Sequence, residues 1–141
     1  MDEHVRPLTE QDIPAVQQLE DEARAALQPV RGGAALLAEQ PPTQWQAALG
    51  RAWVGLYDDV VLGYLELEVR GSIGAVVQVY VHPEARELGL GDEMLRAATV
   101  AARAAGCAVL EGTALPGDRD TKNLYERAGV VARKIVLSKR L

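Results

Sequence analysis

The stretch from Val79 to Gly91, written VYVHPEARELGLG, holds residues whose types and spacing could bind an anion. An apolar run typical of a strand ends at Pro83, which forces a turn, and Gly89 and Gly91 then open a long run with helical spacing. The first N–H groups of a helix have no helical partner, and the helix dipole favours negative charge beside them. Glycines let a phosphate approach the backbone, and Arg86 adds a positive charge. The stretch therefore predicts a phosphate site, and a pyrophosphate is its natural ligand.

Two common phosphate-binding loops do not fit this stretch. A Walker loop requires Gly-Lys-Ser/Thr, which the sequence does not contain. A dinucleotide-binding fingerprint requires a third small residue where Met94 stands, and an N-terminal strand that leads into it. An ordinary glycine-rich turn before a helix is the alternative, and the residues downstream favour the binding site.

A second motif lies downstream, at residues 123–130, which are NLYERAGV. It looks like the Leu-Tyr-Glu-x-x-Gly-Phe segment of one family, with Val130 in place of the Phe. Arg86-x-x-Gly89-x-Gly91 matches the Arg/Gln-x-x-Gly-x-Gly/Ala signature of the same family. Together the two motifs resemble the GNAT superfamily of acyl-CoA-dependent N-acetyltransferases, and the resemblance spans nearly the whole chain.

The resemblance implies a fold and a binding mode for acetyl-CoA. The fold would be a single α/β domain over residues 1–141, with a mixed, mostly antiparallel sheet and helices on both faces. Strands 4 and 5 would run parallel but splay apart, with pantetheine in the gap, and a strand N–H near Tyr80 or Val81 would polarise the thioester carbonyl. The implied cofactor-binding residues are Val79, Tyr80, Val81, Arg86, Glu87, Leu88, Gly89, Leu90, Gly91, Asp92 and Asp118.

The implied reaction is direct attack of a primary amine on the thioester of acetyl-CoA. Tyr125 occupies the position of the family's tyrosine that protonates the leaving thiolate, with core packing as its alternative role. Leu110-Glu111 resembles the Leu-Glu-Val of ribosomal-protein N-terminal acetyltransferases, in which the glutamate is the base, and an exposed strand glutamate is the alternative. Glu66 and Glu68 could instead bind a cationic acceptor or relay a proton through water, unless they are only an exposed polar face.

Several positions depart from the family's pattern. Asp118 stands where the family often has a cofactor-contacting Asn, and Thr121 stands where it often has Ala. His82 is interpreted as a turn residue rather than a base. Three carboxylates surround the predicted pyrophosphate site, although acidic residues suit a first helical turn; they are Glu87, Asp92 and Glu93. These departures keep a second hypothesis open, a non-catalytic CoA-binding sensor or interaction module of the same fold.

Apolar periodicity and turn residues predict the elements that must position these residues. Predicted strands cover residues 4–8, 51–57, 60–70, 75–81, 107–113 and 130–138. Predicted helices begin after Thr9, with Asp12 completing a capping box, and extend to Leu27, then cover 34–39, 89–105 and 120–128. A further helix capped by Thr43 would carry Trp45. The strand–helix–strand unit over 75–113 should be parallel and right-handed.

Composition limits the classes of function. The chain has 141 residues, 48% of them apolar, which predicts one domain with an aliphatic core. Its net charge of −5 argues against a nucleic-acid surface and permits an amine as partner, either a small molecule or a protein amine. Cys107 is the single cysteine, and no His/Cys group has zinc spacing, so we expect no metal. Without a targeting peptide or a run of about 20 apolar residues, we expect a cytoplasmic protein with no membrane partner. Pairing of the last strand could produce a homodimer.

Overall fold

The computed structural model describes residues 3–141, in which five strands form one sheet in the order β1-β2-β3-β4-β5. Neighbouring strands from β1 to β4 are antiparallel, whereas β4 and β5 are parallel. The strands are β1 (Glu3–Pro7), β2 (Ala52–Tyr57), β3 (Val60–Arg70), β4 (Ile73–Val81) and β5 (Val109–Gly112). The mixed sheet confirms the predicted architecture.

β4 and β5 pair over only part of their length. Their register runs from Ile73 opposite Val109 to Val76 opposite Gly112. Beyond Val76, β4 continues for five more residues with no strand of residues 3–141 beside it on that edge. The predicted splay between the two parallel strands is therefore present, and it opens a gap along the second half of β4.

Helices cover both faces of the sheet. In the described part of the chain they are α1 (Ile13–Leu27), α2 (Gly33–Glu39), α3 (Leu90–Ala104) and α4 (Arg119–Arg127), with 3-10 helices at Glu10–Asp12, Trp45–Ala48 and Pro83–Leu88. Tyr64 packs in the cluster that contains α1, whereas its neighbour Leu65 packs in the cluster that contains α3. Adjacent strand residues point to opposite faces, so α1 and α3 cover opposite sides of β3.

The start of the first helical segment is fixed by Asp12. Its carboxylate accepts hydrogen bonds from the Thr9 N–H (2.8 Å) and hydroxyl (2.9 Å), which confirms the predicted capping box. Arg6 on β1 binds the same carboxylate through two nitrogens, at 2.7 and 3.0 Å. These contacts, with Arg6 the largest cause, lower the pKa of Asp12 from 3.8 to about 2. A charged pair thus ties the first strand to the helix that follows.

Two predicted elements are wrong. Residues 130–138 form no strand, although their composition suits one, and Val131, Ile135, Val136 and Leu137 are at least 70% exposed. A strand needs a ladder partner, and here β5 has only four residues to offer. Thr43 does not cap a long helix either, because only a 3-10 turn, Trp45–Ala48, follows it. Among residues 3–141, every helix is too short or too polar to span a bilayer.

Candidate active site

Along the unpaired edge of β4, every second residue points its backbone N–H and C=O groups toward the gap. The Val77 carbonyl accepts a hydrogen bond from Gln40 Nε2 (3.1 Å), and the Val81 carbonyl accepts one from Arg86 Nε (3.0 Å). Val79 lies between them, so by strand alternation its N–H and C=O point the same way. Val79 can therefore pair with an extended ligand as a neighbouring strand would.

The alternate residues of β4 turn their backbone to β3. The N–H of His82 donates to the Leu62 carbonyl (2.7 Å), and the Tyr80 carbonyl lies against Gly63. Of the two alternatives for the oxyanion donor, Val81 therefore faces the gap, whereas by alternation the N–H of Tyr80 points toward β3, so the geometry favours Val81. Tyr80 contributes its ring instead, which lies 5.7 Å from the Arg86 guanidinium.

The glycine turn leaves amides free at the start of α3. Gly89 has φ +80°, a left-handed conformation that glycine adopts without strain. The N–H of Glu93 donates to the Gly89 carbonyl (3.1 Å), which is the first bond of the helix. The N–H groups of Leu90, Gly91 and Asp92 therefore have no intrahelical acceptor and point out of its N-terminus. Free N–H groups at the start of this helix are the feature that the sequence predicted for a phosphate site.

Gly91 has a different role from Gly89. A Cβ built on Gly91 would lie 3.3 Å from both terminal carbons of Leu124 and 3.6 Å from Val81. Glycine here lets α4 pack closely against the start of α3. The second predicted motif thus meets the first one in space, through Leu124.

An outer groove of about 490 Å³ runs along the gap edge of β4 to the start of α3. The predicted cofactor residues that line it are Val79, Tyr80, Val81, Arg86, Gly89, Gly91, Asp92 and Asp118. Glu87, Leu88 and Leu90 do not line it, and the Leu90 side chain is buried in the core. The groove therefore collects most of the predicted residues into one surface.

Arginines offset the acidic residues around this groove. Arg127 binds Asp92 through Nε at 3.1 Å, and Arg86 binds Asp120. Arg119 also lines the groove. The sequence suggested an unfavourably acidic phosphate site, but α4 adds two positive charges, Arg119 and Arg127, to that of Arg86 in the motif. Arg119 and Arg127 lie in α4, far from the glycine turn in sequence, so spacing alone could not reveal them.

Tyr125 is 6% exposed and lines an inner cavity of about 80 Å³, which borders the outer groove at Gln78 and Val79. Its ring and hydroxyl occupy the space beside Gly112, where any Cβ would overlap them. Burial raises the pKa of Tyr125 well above its ordinary 10.0, and the charge of Asp118 adds to the effect. The hydroxyl is therefore protonated at neutral pH and can donate a proton.

The other predicted proton carriers lie outside both cavities. Glu111 on β5 forms an ion pair with Arg133 at 3.2 Å and lines neither cavity. His82 accepts a hydrogen bond at Nδ1 from the Glu84 N–H (3.1 Å), as a turn residue would. Glu68 forms an exposed ion pair with its neighbour Arg70 at 2.6 Å.

A buried polar network that was not predicted from the sequence lies behind the inner cavity. Glu20, 3% exposed, accepts hydrogen bonds from the Thr43 N–H (2.9 Å), Trp45 Nε1 (3.0 Å) and Gln78 Nε2 (2.8 Å). The Gln78 amide oxygen accepts a bond from the Tyr64 hydroxyl (3.0 Å). These contacts fix the side chain of Gln78, which lines both cavities.

Glu66 belongs to the same network rather than to an open cleft. It is 4% exposed and accepts bonds from the Thr43 hydroxyl (2.6 Å) and Arg51 Nη1 (2.6 Å). The Thr43 hydroxyl also accepts from Gln78 Nε2 (2.7 Å), so it joins the two carboxylates. One signal was available in the sequence: Glu20 stands at a helical position between Leu19 and Ala23, where a buried residue is expected.

The described residues hold no group of three or more His, Cys, Asp or Glu side chains arranged to bind a metal ion.

Comparison with known proteins agrees with this geometry. No curated protein sequence matches the chain. The aminoglycoside N-acetyltransferase AAC(6')-Iy, in complex with a CoA bisubstrate analogue, superposes with TM-score 0.70 at 15% identity, over 100% of both chains. A ribosomal-protein-alanine N-acetyltransferase from Brucella melitensis gives 0.73 at 20% identity, over 100% of this chain and 99% of that one. An acetyltransferase from Trypanosoma brucei gives 0.65 at 19% identity, over 99% and 100%.

These likenesses establish the fold. The sequence model of the acetyltransferase (GNAT) family matches residues 15–130, which include β4, the glycine turn and Tyr125. The chain therefore belongs to the GNAT acetyltransferase family.

Proposed function

We propose that this protein transfers an acetyl group from acetyl-CoA, the acyl donor of its family, to a primary amine. The observation that carries the proposal is the continuity of the outer groove. It joins an unpaired strand edge at Val79 to the free amides of Gly91 and Asp92 at the start of α3. An extended ligand with amides along its length and a pyrophosphate at one end matches that sequence of groups.

The donor would lie along the groove with its pantetheine amides on Val79. Its pyrophosphate would accept hydrogen bonds from the amides at the start of α3, and Arg119 and Arg127 would add charge at the rim. The thioester would then reach the border of the inner cavity. The N–H of Val81 or Val79 would stabilise the oxyanion of the tetrahedral intermediate.

In the reaction, the amine nitrogen forms a bond to the thioester carbon, the carbon–sulfur bond breaks, and the thiolate leaves. The nitrogen loses a proton and the thiolate gains one. Tyr125 would support the second transfer, because it lines the inner cavity together with Val79 and its hydroxyl carries a proton at neutral pH. The desolvation that raises the pKa of Tyr125 also disfavours a free thiolate there. Burial therefore favours the protonated form of both the tyrosine and the thiol.

The neutral amine has to form before it attacks. An alkylamine with pKa about 10.4 lies about 3.4 units above neutral pH, which corresponds to about 4–5 kcal/mol. Glu111 remains the predicted base from the resemblance, and its ion pair with Arg133 would have to open for that role. A water chain through the inner cavity beside Gln78 would be another route for the proton.

The test measures donor binding and turnover separately. Thermal unfolding with acetyl-CoA, CoA and, as control, NADH should give a higher midpoint with the CoA forms only, because a ligand at a hundredfold excess over Kd adds about 2.7 kcal/mol. Thiol release with a panel of primary amines should then depend on both acetyl-CoA and amine. CoA binding without amine-dependent thiol release would instead support the binding module of the second hypothesis, and absence of both would refute the proposal.

A further inference from the structure

The inner cavity carries a positive charge from Arg24 on α1. The cavity is lined by Arg24 together with Val79 and Tyr125, so this charge lies in the same space as the proposed acid. Arg24 Nη1 donates to the Gln40 carbonyl (2.7 Å) and Nη2 donates to the Leu37 carbonyl (3.2 Å). These carbonyls end α2 and hold the guanidinium in place without neutralising it.

No carboxylate within residues 3–141 forms an ion pair with Arg24. Glu20 is four residues earlier on the same helix, the usual position for such a partner. Its two oxygens instead accept the bonds from Thr43, Trp45 and Gln78. Arg24 thus keeps N–H donors that no protein carboxylate uses.

Asp118 is the other charged residue that lines the inner cavity. It is the N-cap of α4, and its carboxylate accepts bonds from the Thr121 N–H (3.2 Å) and hydroxyl (2.7 Å). Glu66 and Glu68, the acidic residues expected near the acceptor, do not line the cavity. A polycationic acceptor would therefore meet one arginine and one aspartate there, and the aspartate already accepts two hydrogen bonds from Thr121.

We propose that Arg24 binds a carboxylate of the acceptor, so that the substrate is an amine that also carries a carboxylate, of amino-acid size. This inference rests on the proposed function. A guanidinium binds a carboxylate through two parallel hydrogen bonds, which also orients the molecule that carries it. The cavity volume of about 80 Å³ corresponds to roughly two to three water molecules at about 30 Å³ each, which is room for the carboxylate end of a small acceptor.

The experiment compares matched acceptors that differ only at the carboxylate. Thiol release is measured with a set of amino acids, the corresponding amino acid amides, and the polyamine spermidine. The wild-type protein should show kcat/KM about 10- to 100-fold higher for the best acid than for its amide, the value expected of a charge-assisted hydrogen bond. Equal rates for acid and amide, or a preference for spermidine, would overturn the inference.

Variants at Arg24 test whether this residue causes the preference for an amino acid over its amide. Arg24→Gln should reduce the acid-to-amide ratio to near one, whereas Arg24→Lys should keep part of it as a point charge. The acetyl-CoA affinity of both, from thermal shifts, should match that of the wild type. An unchanged ratio in Arg24→Gln would overturn the assignment.

Two outcomes separate this inference from the function on which it rests. Turnover of amines without an acid preference contradicts the inference alone and leaves the acetyltransferase intact. CoA binding without turnover of any amine contradicts both. If Arg24→Gln fails to fold, because it loses the bonds that end α2, the wild-type acid-to-amide ratio and Arg24→Lys still decide the question.

Discussion

The two sides of β4 are built in different ways. On the side of the outer groove, the functional groups are backbone N–H and C=O groups, exposed by a splayed strand and a glycine turn. On the side of α1, they are side chains from α1, β3, β4 and the segment between α2 and β2, joined around Glu20 and Glu66. The first side needs only a local conformation, whereas the second needs several distant segments to meet.

The contrast has a functional meaning. A backbone site binds whatever suits a strand edge and a helix N-terminus, so many sequences can hold the same donor. A side-chain site changes with each substitution, so it can differ between relatives that share the donor. Structures with 15–20% identity to this chain share its fold. Substitutions on one side should therefore leave the function of the other side intact.

The largest effect is expected where the two sides meet, at Tyr125. Tyr125→Phe should lower kcat roughly 10²- to 10⁴-fold, because it removes the proton donor and keeps the ring. Acetyl-CoA affinity should not change. Tyr57→Phe is the matched control, since Tyr57 lines neither cavity. An unaltered kcat in Tyr125→Phe would show that the tyrosine is only a packing residue.

The next effect tests the side-chain network. Glu20→Gln places an amide group among three donors, so it should lower the free energy of unfolding by about 1–3 kcal/mol. It should also raise the acceptor KM, through Gln78, and leave the acetyl-CoA Kd unchanged. Urea unfolding and steady-state kinetics check both, with the exposed Asp21→Asn on the same helix as control. A weaker acetyl-CoA affinity would mean that the two sides are coupled.

Unfolding at low pH tests how much the charge of Asp12 stabilises the start of the first helical segment. The folded pKa of Asp12 is about 2 and the unfolded value is 3.8, so its stabilisation is complete above pH 4 and is lost as the pH falls through 2. Asp12→Asn should lower stability by about 1–2 kcal/mol at pH 7, less than the full shift because Arg6 is partly exposed. The difference from wild type should shrink between pH 4 and pH 2. A constant difference across that range would contradict the charge assignment.

The smallest effect tests the backbone side. Gly89→Ala should cost about 1 kcal/mol of stability because φ is +80°, and it should also weaken acetyl-CoA binding. Gly106→Ala imposes the same strain at φ +84°, after the end of α3, with open space around its Cβ. It should lose similar stability and keep the donor affinity. Equal donor affinity in both variants would remove the glycine turn from the site.

Local signals predicted the backbone side well. Glycine, proline and strand periodicity report conformation directly, so β4, the turn at Gly89 and α3 were expected nearly as they are. The side-chain network depends on contacts such as Glu20 with Gln78, 58 residues apart, which no local pattern encodes. The same limit explains the error at residues 130–138, because strand propensity does not say whether an edge is available. Local patterns also could not place Arg24 in the inner cavity, because its position there depends on contacts with Leu37 and Gln40.

The open edge of β4 has a consequence for solubility. An unpaired strand edge is a template on which another chain can add, and natural proteins protect such edges against aggregation. Of the three gap-facing carbonyls, Val77 is occupied by Gln40 and Val81 by Arg86. What remains, at Val79, is long enough for a short amide-bearing ligand and too short for a foreign strand. The side chains of Gln40 and Arg86 thus occupy both ends of the open edge, which leaves the groove available to a ligand and prevents another chain from pairing with β4.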